Sequence, residues 1–556
     1  MLTDPYLVNA WSRNARGVRY SARLVAVFPY FSGACRVSGA IFKSTTVVGI
    51  TTLISRITGL ARDMVYSQAF GSSAFMDAFL VAFKIPNFLR RLFAEGSFSQ
   101  AFVPVISEYK VQRTEGEVRE LVEGVAGTFA VVLFFVTLLG VIAAPLIILG
   151  FAPGWHDHPD KFELATEMLR WTFPYLFFVS LTALFSGVLN SYGRFAIPAF
   201  TQVIMNVVMI VFALWIAGRT ANPGVTLAIG VFVSGLLQIG FQVPAVMKLG
   251  LFRMPRWRPA AEGVRRIGRL MLPGILGSSM AQVSLLLDTQ IASFLITGSI
   301  AWLYYADRLM EFPLGVFSIA LATVILPGLS RHHAEASPER FTATLDWALR
   351  LVIVLVSPAA VAMLAFAGPM TATMFGYGKF GSHDVDMASY ALMAYSWGLL
   401  GFSLVKVLAP GYFARQDTRT PVRVGLIALG TNMALNLAVV LPAKHFGFPY
   451  PHILLATSTC VSAAVNTTLL WRGLVKKGVY KPRPGWRVLL SRVVLANLLM
   501  GVLLVWLGGD LLSWIDMPPL HRALRLAGCV IAAAAGYFAT LYLSGMRLAQ
   551  MRGAHT

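Results

Sequence analysis

Acidic side chains are scarce: 25 Asp and Glu stand against 46 Lys and Arg, and charged residues of both signs make up only 13% of the chain. An average soluble domain has about a quarter of its residues charged, so a water-soluble fold of this length would lack the polar surface to cover its apolar residues. The cysteines are few as well. Cys35, Cys460 and Cys529 lie far apart with no CxxC pair, which implies neither a disulfide framework nor a metal knuckle. Nothing like HExxH occurs among the histidines, and the adjacent His332 and His333 read as solvated loop residues, so no metal centre follows from histidine or cysteine spacing.

Apolar residues are what the chain has in quantity, 57% of it, with a mean hydropathy of +0.68. Apolar stretches of about 20 residues, long enough to cross a hydrocarbon core about 30 Å thick, recur fourteen times: near 44–68, 73–106, 121–151, 163–190, 195–218, 223–248, 270–296, 299–329, 345–367, 386–412, 421–442, 451–472, 488–509 and 521–546. The expected fold is all-α and polytopic, with about fourteen transmembrane helices.

The net charge of +21 does not point to a nucleic-acid partner, because the Lys and Arg fall mainly in short loops between apolar runs. Cytoplasmic loops should hold that excess. Lys248, Arg253, Arg256, Arg258, Arg265, Arg266 and Arg269 follow span six, and Arg472, Lys476, Lys477, Lys481, Arg483 and Arg487 follow span twelve. Both loops fall on one side, together with Arg415, Arg419, Arg423 and the two ends of the chain, while the other side holds little beyond Lys161, Arg219, Lys379, Lys444 and Arg522. Both termini are therefore expected in the cytoplasm. Residues 1–43 form a basic extension in which Arg13 to Arg23 precede the apolar Leu24 to Ala34. Cleavage there as a secretory signal would place the new N-terminus outside and contradict the charge count, so a cytoplasmic or interfacial segment is expected.

A faint repeat divides the spans. Arg91-Leu92 with Glu95, Phe98-Ser99 and Pro104 is echoed 217 residues later by Arg308-Leu309 with Glu311, Phe317-Ser318 and Pro327, and Gly187 to Pro198 is echoed by Gly411 to Pro421. An even number of spans separates the copies, so they would share one orientation, as in transporters built from parallel repeats. The expected organisation is an N-lobe over 44–250, a C-lobe over 264–478, and two further helices over 485–549, with a central cavity between the six-helix lobes.

Ionisable residues inside spans cost energy and are functional candidates. They cluster in three spans: Ser55, Arg56, Gly59, Arg62 and Asp63 in the first, Asp77, Lys84, Arg90, Arg91 and Glu95 in the second, and Asp307, Arg308 and Glu311 in the eighth. At about 2.5–3.5 kcal/mol for each arginine at mid-bilayer, Arg56, Arg62, Arg90 and Arg308 cannot all face lipid. Residues seven apart return to nearly the same helix face, so Asp77, Lys84 and Arg91 share one stripe and Ser55 and Arg62 another. Two readings are open: internal ion pairs that hold helices together, or a wet cationic chamber whose guanidinium forks match phosphate oxygens two at a time. A diphosphate is the natural complement of the second, and Gly59, Pro86, Pro104, Pro313 and Pro327 offer bends for alternating access.

The run Ser55-Arg56-x-x-Gly59-x-x-Arg62-Asp63, then Asp77-Ala78-Phe79, then Phe83-Lys84-Ile85-Pro86-Asn87-Phe88-Leu89-Arg90-Arg91-Leu92-Phe93-Ala94-Glu95-Gly96, resembles the MurJ (MviN) family of lipid II flippases. Tyr304-Tyr305-Ala306-Asp307-Arg308-Leu309-Met310-Glu311-Phe312-Pro313 and Val405-Lys406-Val407-Leu408-Ala409-Pro410-Gly411-Tyr412-Phe413 match it too, and the resemblance runs over about residues 40–550. It implies the fold of the multidrug/oligosaccharidyl-lipid/polysaccharide exporter superfamily, with a groove at the last two helices for a polyprenyl tail. The implied cargo is lipid II, an undecaprenyl-pyrophosphate muropeptide, moved across the bacterial inner membrane among membrane lipids and other proteins of cell-wall synthesis. The positions matching Arg56, Arg62, Arg90 and Arg308 would bind its headgroup, and those matching Asp77, Asn87, Glu95 and Glu311 would bear on function. No organic cofactor is implied. Coupling to membrane potential or to sodium is; Asp288, Asn432, Asn436 and Thr457 fall where sodium ligands would stand, and an ordinary buried polar network is the other reading.

Two alternatives differ in kind. A multidrug antiporter would carry cations, which a chamber rich in arginine repels. A polyprenyl-dependent glycosyltransferase would need an acid or base beside a large outside loop, yet those loops are short, and Asp157 to Asp160 and Asp384 to Asp386 read as solvated. No enzymatic activity is expected.

Overall fold

The computed structural model describes residues 39–92, 98–251 and 256–547, so the expected extension is described only from residue 39. By their contacts residues 1–47 and 48–556 form separate units, and the helical bundle is built by the second. In chain order the helices of the N-terminal half are α1 (Gly39–Phe70), α2 (Ala74–Arg90), α3 (Ser99–Gln112), α4 (Glu115–Ile142), α5 (Ala144–Phe151), α6 (Pro159–Thr172), α7 (Tyr175–Ser191), α8 (Ala196–Val211) and α9 (Pro223–Met247). Then come α10 (Glu262–Ser293), α11 (Ser299–Pro313), α12 (Ala320–Ala334), α13 (Pro338–Ala365), α14 (Ala367–Phe375), α15 (Ser382–Phe413), α16 (Arg419–Leu435), α17 (Leu441–His445) and α18 (Pro451–Lys476). A last group holds α19 (Trp486–Gly508), α20 (Leu511–Ile515) and α21 (Pro519–Leu543), and no strand occurs among the described residues.

Helices are what hydrocarbon permits, because a lone helix satisfies its own backbone donors and acceptors. Proline at the first position opens α6, α9, α13, α18 and α21, where its missing N–H is no loss. A capping box between Thr114 and Glu117 opens α4. Prolines mark two helix ends. Pro86 sits one turn before the end of α2, and Pro313 closes α11 where a π-helical turn, Leu314–Ile319, leads into α12.

Ten helical segments among the described residues are long and apolar enough to cross a membrane. The expected spans one, two, seven and eight are helical over their described residues but are not among those ten. Arg56, Arg62 and Asp63 lower the hydropathy of α1, α2 and α3 as described are 17 and 14 residues long, a π-helical turn divides α11 from α12, and α10 bears Ser278, Ser279, Gln282, Ser284, Asp288 and Gln290. The expected count of fourteen thus exceeds what apolarity alone supports, and the shortfall falls on helices with polar business inside the bilayer.

In the N-terminal half α9 packs against α6, α7 and α8; in the C-terminal half α15 is the central helix, flanked by α11, α12, α13 and α18. Small residues let backbones approach: Gly398 of α15 faces Cys460 of α18 so closely that a Cβ there would collide with the sulfur. One apolar cluster joins the halves, with Tyr66 and Phe79 from the first and Tyr305, Phe375 and Phe380 from the second. The pair α19 and α21 leans on α13 through α19. Its outer face exposes Leu498, Val502, Val505, Trp506, Ile531 and Phe538, the surface that lipid covers. Arg522 seats α21. It is buried, donates to the carbonyls of Ala372 and Gly376 at the end of α14 and to those of Ile515 and Met517, and lies 4.8 Å from the Tyr377 ring centre.

At the end with the basic loops, Arg266 of α10 grips Glu108 of α3 with two bonds of 2.8 Å, which hold the Glu108 carboxyl below its usual range. Lys477 bonds Asp417 at 2.9 Å; with Thr420 it pushes that carboxyl down to about 2, so the carboxylate stays charged at neutral pH.

Candidate functional site

The charges of α1 and α11 meet. Arg62 lies eight residues before the end of α1, about 12 Å along the helix at 1.5 Å per residue. Its Nε and Nη2 donate to Asp63 Oδ1 at 3.0 and 2.7 Å, and its Nη1 donates to Asn206 Oδ1 of α8 at 3.1 Å. Asn206 is fixed in turn, its amide donating to the Ser55 carbonyl and the Thr58 hydroxyl, both at 3.1 Å. From the other half, the Tyr304 hydroxyl donates to Asp63 Oδ1 at 2.9 Å and accepts from Arg62 and Arg308 at 3.3 and 3.2 Å. Arg308 Nε stands 3.2 Å from Asp63 Oδ2, and its Nη1 reaches Glu311 at 2.7 Å. Two guanidinium groups thus share one buried carboxylate across the interface between the halves, a geometry that compensates the cost of desolvating them.

This departs from the expectation that Arg62 faces a chamber. It is 6% exposed and its donors are engaged, because the next residue in the sequence supplies its counter-ion. Arg308 retains an open edge, with a third of its side chain exposed. Arg56 is exposed, its guanidinium against Gly315 in the π-helical turn of the opposite half, and no carboxylate among the described residues pairs with it. Arg91 is exposed, whereas Arg90 is half-buried and donates to Asn87 at 3.2 Å, and the Asn87 amide bonds the Phe83 carbonyl. Glu95 lies outside the described residues. Ser55 accepts from the Asn206 amide through its carbonyl.

Asp77 bridges the two halves. Buried on α2, it takes Lys161 of α6 at 2.9 Å and the backbone N–H groups of Gly298 and Ala301 at 2.8 and 3.0 Å, so a carboxylate of one half caps the first turn of α11 in the other. Gly298 adopts φ 96°, which glycine alone takes without strain. Further bonds close the same end. Ser72 donates to Asp384, Trp302 donates to Asp384 at 3.0 Å, and the Lys379 N–H reaches the Gln68 carbonyl at 3.0 Å. Asp384, expected as a solvated loop residue, is thereby an inter-half contact, since the start of α15 packs under the α1–α2 turn.

A second polar cluster lies beside the first. Asp288 Oδ1 accepts from Asn432 at 2.8 Å and from Asn436 at 3.5 Å, while Ser458 donates to the oxygens of both amides. Thr457 stands outside, exposed and bonded to the Ile453 carbonyl, because one residue along a helix turns the side chain away; Ser458 takes the inward place. Lys84 bonds Thr289 at 2.6 Å within electrostatic reach of Asp288 and Asp307. Oxygen donors of this kind suit a hard cation, provided the two amides turn their oxygens toward it. Among the described residues no group of three or more His, Cys, Asp and Glu side chains could hold a metal.

Sequence reasoning missed Asn206, Lys161 and Ser458, polar residues without charge clustering or motif to mark them. The signal for Asn206 was an amide in an apolar helix, which needs a partner.

A bundle of apolar helices, interrupted between α11 and α12, with cations held at a seam between two halves and a carboxylate of one half capping a helix of the other, defines a multi-pass membrane transporter. The family model described as lipid II flippase MurJ matches residues 66–517. A probable lipid II flippase MurJ of Vibrio cholerae is 44% identical over 93% of this chain and 99% of its own length, and the lipid II flippase MurJ of Burkholderia cenocepacia is 40% identical over 92% and 99%. A solved lipid II flippase MurJ in an inward closed conformation superposes with a TM-score of 0.73 at 24% identity, covering 90% of this chain and all of that one. An inward-facing multidrug transporter of the MOP superfamily follows at 0.59 and 14%, over 78% of this chain and 98% of its own. The chain belongs to the MurJ family of lipid II flippases; it is a transporter and not an enzyme.

Proposed function

We propose that this protein carries lipid II from the cytoplasmic to the outer leaflet of a bacterial inner membrane, with both termini in the cytoplasm and residues 44–250 and 264–478 working as two lobes. The observation that carries the reading is the guanidinium seam: Arg56 is free of any carboxylate among the described residues and Arg308 keeps an open edge, while Arg62 is buried behind them. A diphosphate entering from the basic end meets Arg56 and the outer edge of Arg308 first. It then competes with Asp63 and Glu311 for Arg308, and loosening that pair loosens the bond between lobes. Asp77 and Asp384 keep the outer end shut meanwhile, so access to the two sides alternates.

Sodium coupling is supported by the oxygen donors of Asp288, Asn432, Asn436 and Ser458 joining α10, α16 and α18. A bound cation there would offset the carboxylate that otherwise attracts Lys84 of α2, and so bias how α10 meets the other half.

The decisive experiment is rapid depletion of the protein in cells carrying labelled lipid II. External accessibility of the label is expected to fall; unchanged exposure would overturn the reading.

A further inference from the structure

We propose that the cavity between α13, α19 and α21 binds the headgroup of an anionic glycerophospholipid. The cavity measures about 390 Å³ and is walled by Trp347, Leu351, Val354, Leu489 and Met546, with Arg350 and Arg492 as its charged lining. Neither arginine belongs to the transport seam.

The two guanidinium groups differ in what they already hold. Arg350 donates from Nε to Asp346 at 2.7 Å and from Nη2 to the Arg483 and Pro484 carbonyls at 3.2 and 2.9 Å, and it lies 5.1 Å from the Trp486 ring centre. Its Nη1 has no such bond among the described residues and points toward Gly485, where a Cβ would stand 3.5 Å from it. Arg492 is half-buried, and no carboxylate among the described residues pairs with it. Its Nη2 lies 3.2 Å from where a Cβ of Gly545 would be. Neither glycine puts a Cβ against these groups, and Arg492, half-buried with no carboxylate partner among the described residues, offers its fork to an anion.

The position selects a lipid rather than a soluble ion. Arg492 is six residues into α19, about 9 Å from its start at 1.5 Å per residue, at the end that carries the basic loops. That depth suits a phosphate diester at a bilayer surface. The apolar walls suit the glycerol and the first acyl carbons, and Val488, half exposed, opens the cavity toward the lipid-covered face of α19. A hydrated anion would leave those walls wet. Asp346 gathers Arg350, Tyr480 and Trp486 at 2.7, 2.7 and 2.8 Å, so a lipid seated here ties the α19–α21 pair to α13.

The test uses the purified full chain, incubated with equal amounts of phosphatidylglycerol and phosphatidylcholine, with bound lipid counted by native mass spectrometry. The wild type is expected to retain phosphatidylglycerol preferentially. Arg492→Gln should lower that retention about tenfold, the loss of one charge-assisted bond, and Arg492→Lys should recover part of it. Equal retention by wild type and Arg492→Gln, or no headgroup preference in the wild type, would overturn the proposal. So would displacement of the lipid by millimolar glycerol phosphate, which would make this a site for soluble anions. If Arg492→Gln cannot be extracted intact, the wild type against Arg492→Lys decides: identical preference for phosphatidylglycerol overturns the proposal, and a weakened one supports it. The readout is lipid retention, so failure here leaves the transport reading untouched.

Discussion

The carboxylate of Asp77 accepts the backbone N–H of Gly298 at 2.8 Å, and with this bond a side chain on α2 caps a helix of the opposite half. Lys161 holds the same oxygen at 2.9 Å, so the cap stays aimed. Removing it exposes orphan donors at the first turn of α11 and leaves Lys161 without its counter-ion.

Asp77→Ala should therefore open the latch. A cysteine placed at Ser299, which is fully buried, is expected to react several-fold faster with an impermeant thiol reagent in Asp77→Ala than in wild type. Asp77→Asn, which keeps an acceptor without the charge, should fall between. Equal labelling in all three would show that these bonds do not hold this end shut.

Asn206→Ala should destabilise the protein by about 1–3 kcal/mol, because Arg62 Nη1 loses its acceptor inside an apolar helix packing. The midpoint of thermal unfolding in detergent measures it. Loss of growth complementation should accompany the change even where membrane levels are normal, since Asn206 also aims Arg62; an unchanged midpoint would mean that water replaces the amide.

Arg56→Ala is expected to weaken binding of lipid II about tenfold, the worth of one charge-assisted bond. Arg56→Lys should recover only part, because an ammonium cannot offer a two-pronged fork to a phosphate. Arg62→Ala should instead lower stability and growth together, as expected when the shared carboxylate Asp63 loses a buried partner. Titration of lipid II against each purified variant separates the two behaviours.

Ser458→Ala and Asp288→Asn should abolish any sodium-dependent thermal stabilisation, with potassium as the control, while Thr457→Val should leave it unchanged. The contrast follows from the inward Ser458 and the outward Thr457. Equal effects at 457 and 458 would contradict the placement of the cluster.

Legibility from the sequence varies by element. Helical spans were plain because hydrocarbon thickness and backbone hydrogen bonding leave a chain this apolar little else to form. The polar helices α1, α2 and α11 were marked by charge alone, and the charges of α1 and α11 meet: Arg308 reaches Asp63 over a sequence separation of 245 residues. Partner choice was another matter. The sequence offered Arg62 both Asp63 and a ligand, and only packing against Asn206 and Tyr304 resolves the competition in this state. Thr457 and Ser458 are equivalent oxygens in sequence, separated by the angular step of a helix whose inward face depends on its neighbours.

By itself, then, the amino-acid sequence determined the solvent this protein lives in, its helical class and its family, since these depend on local apolarity and on motifs read along the chain. The tertiary structure alone decided which cations stay open and which are closed by carboxylates, and that Asp77 meets Lys161 and the first turn of α11. The physical reason is that a buried charge is defined by what surrounds it: its partners arrive from distant helices, and distance in space, not order along the chain, sets their energy.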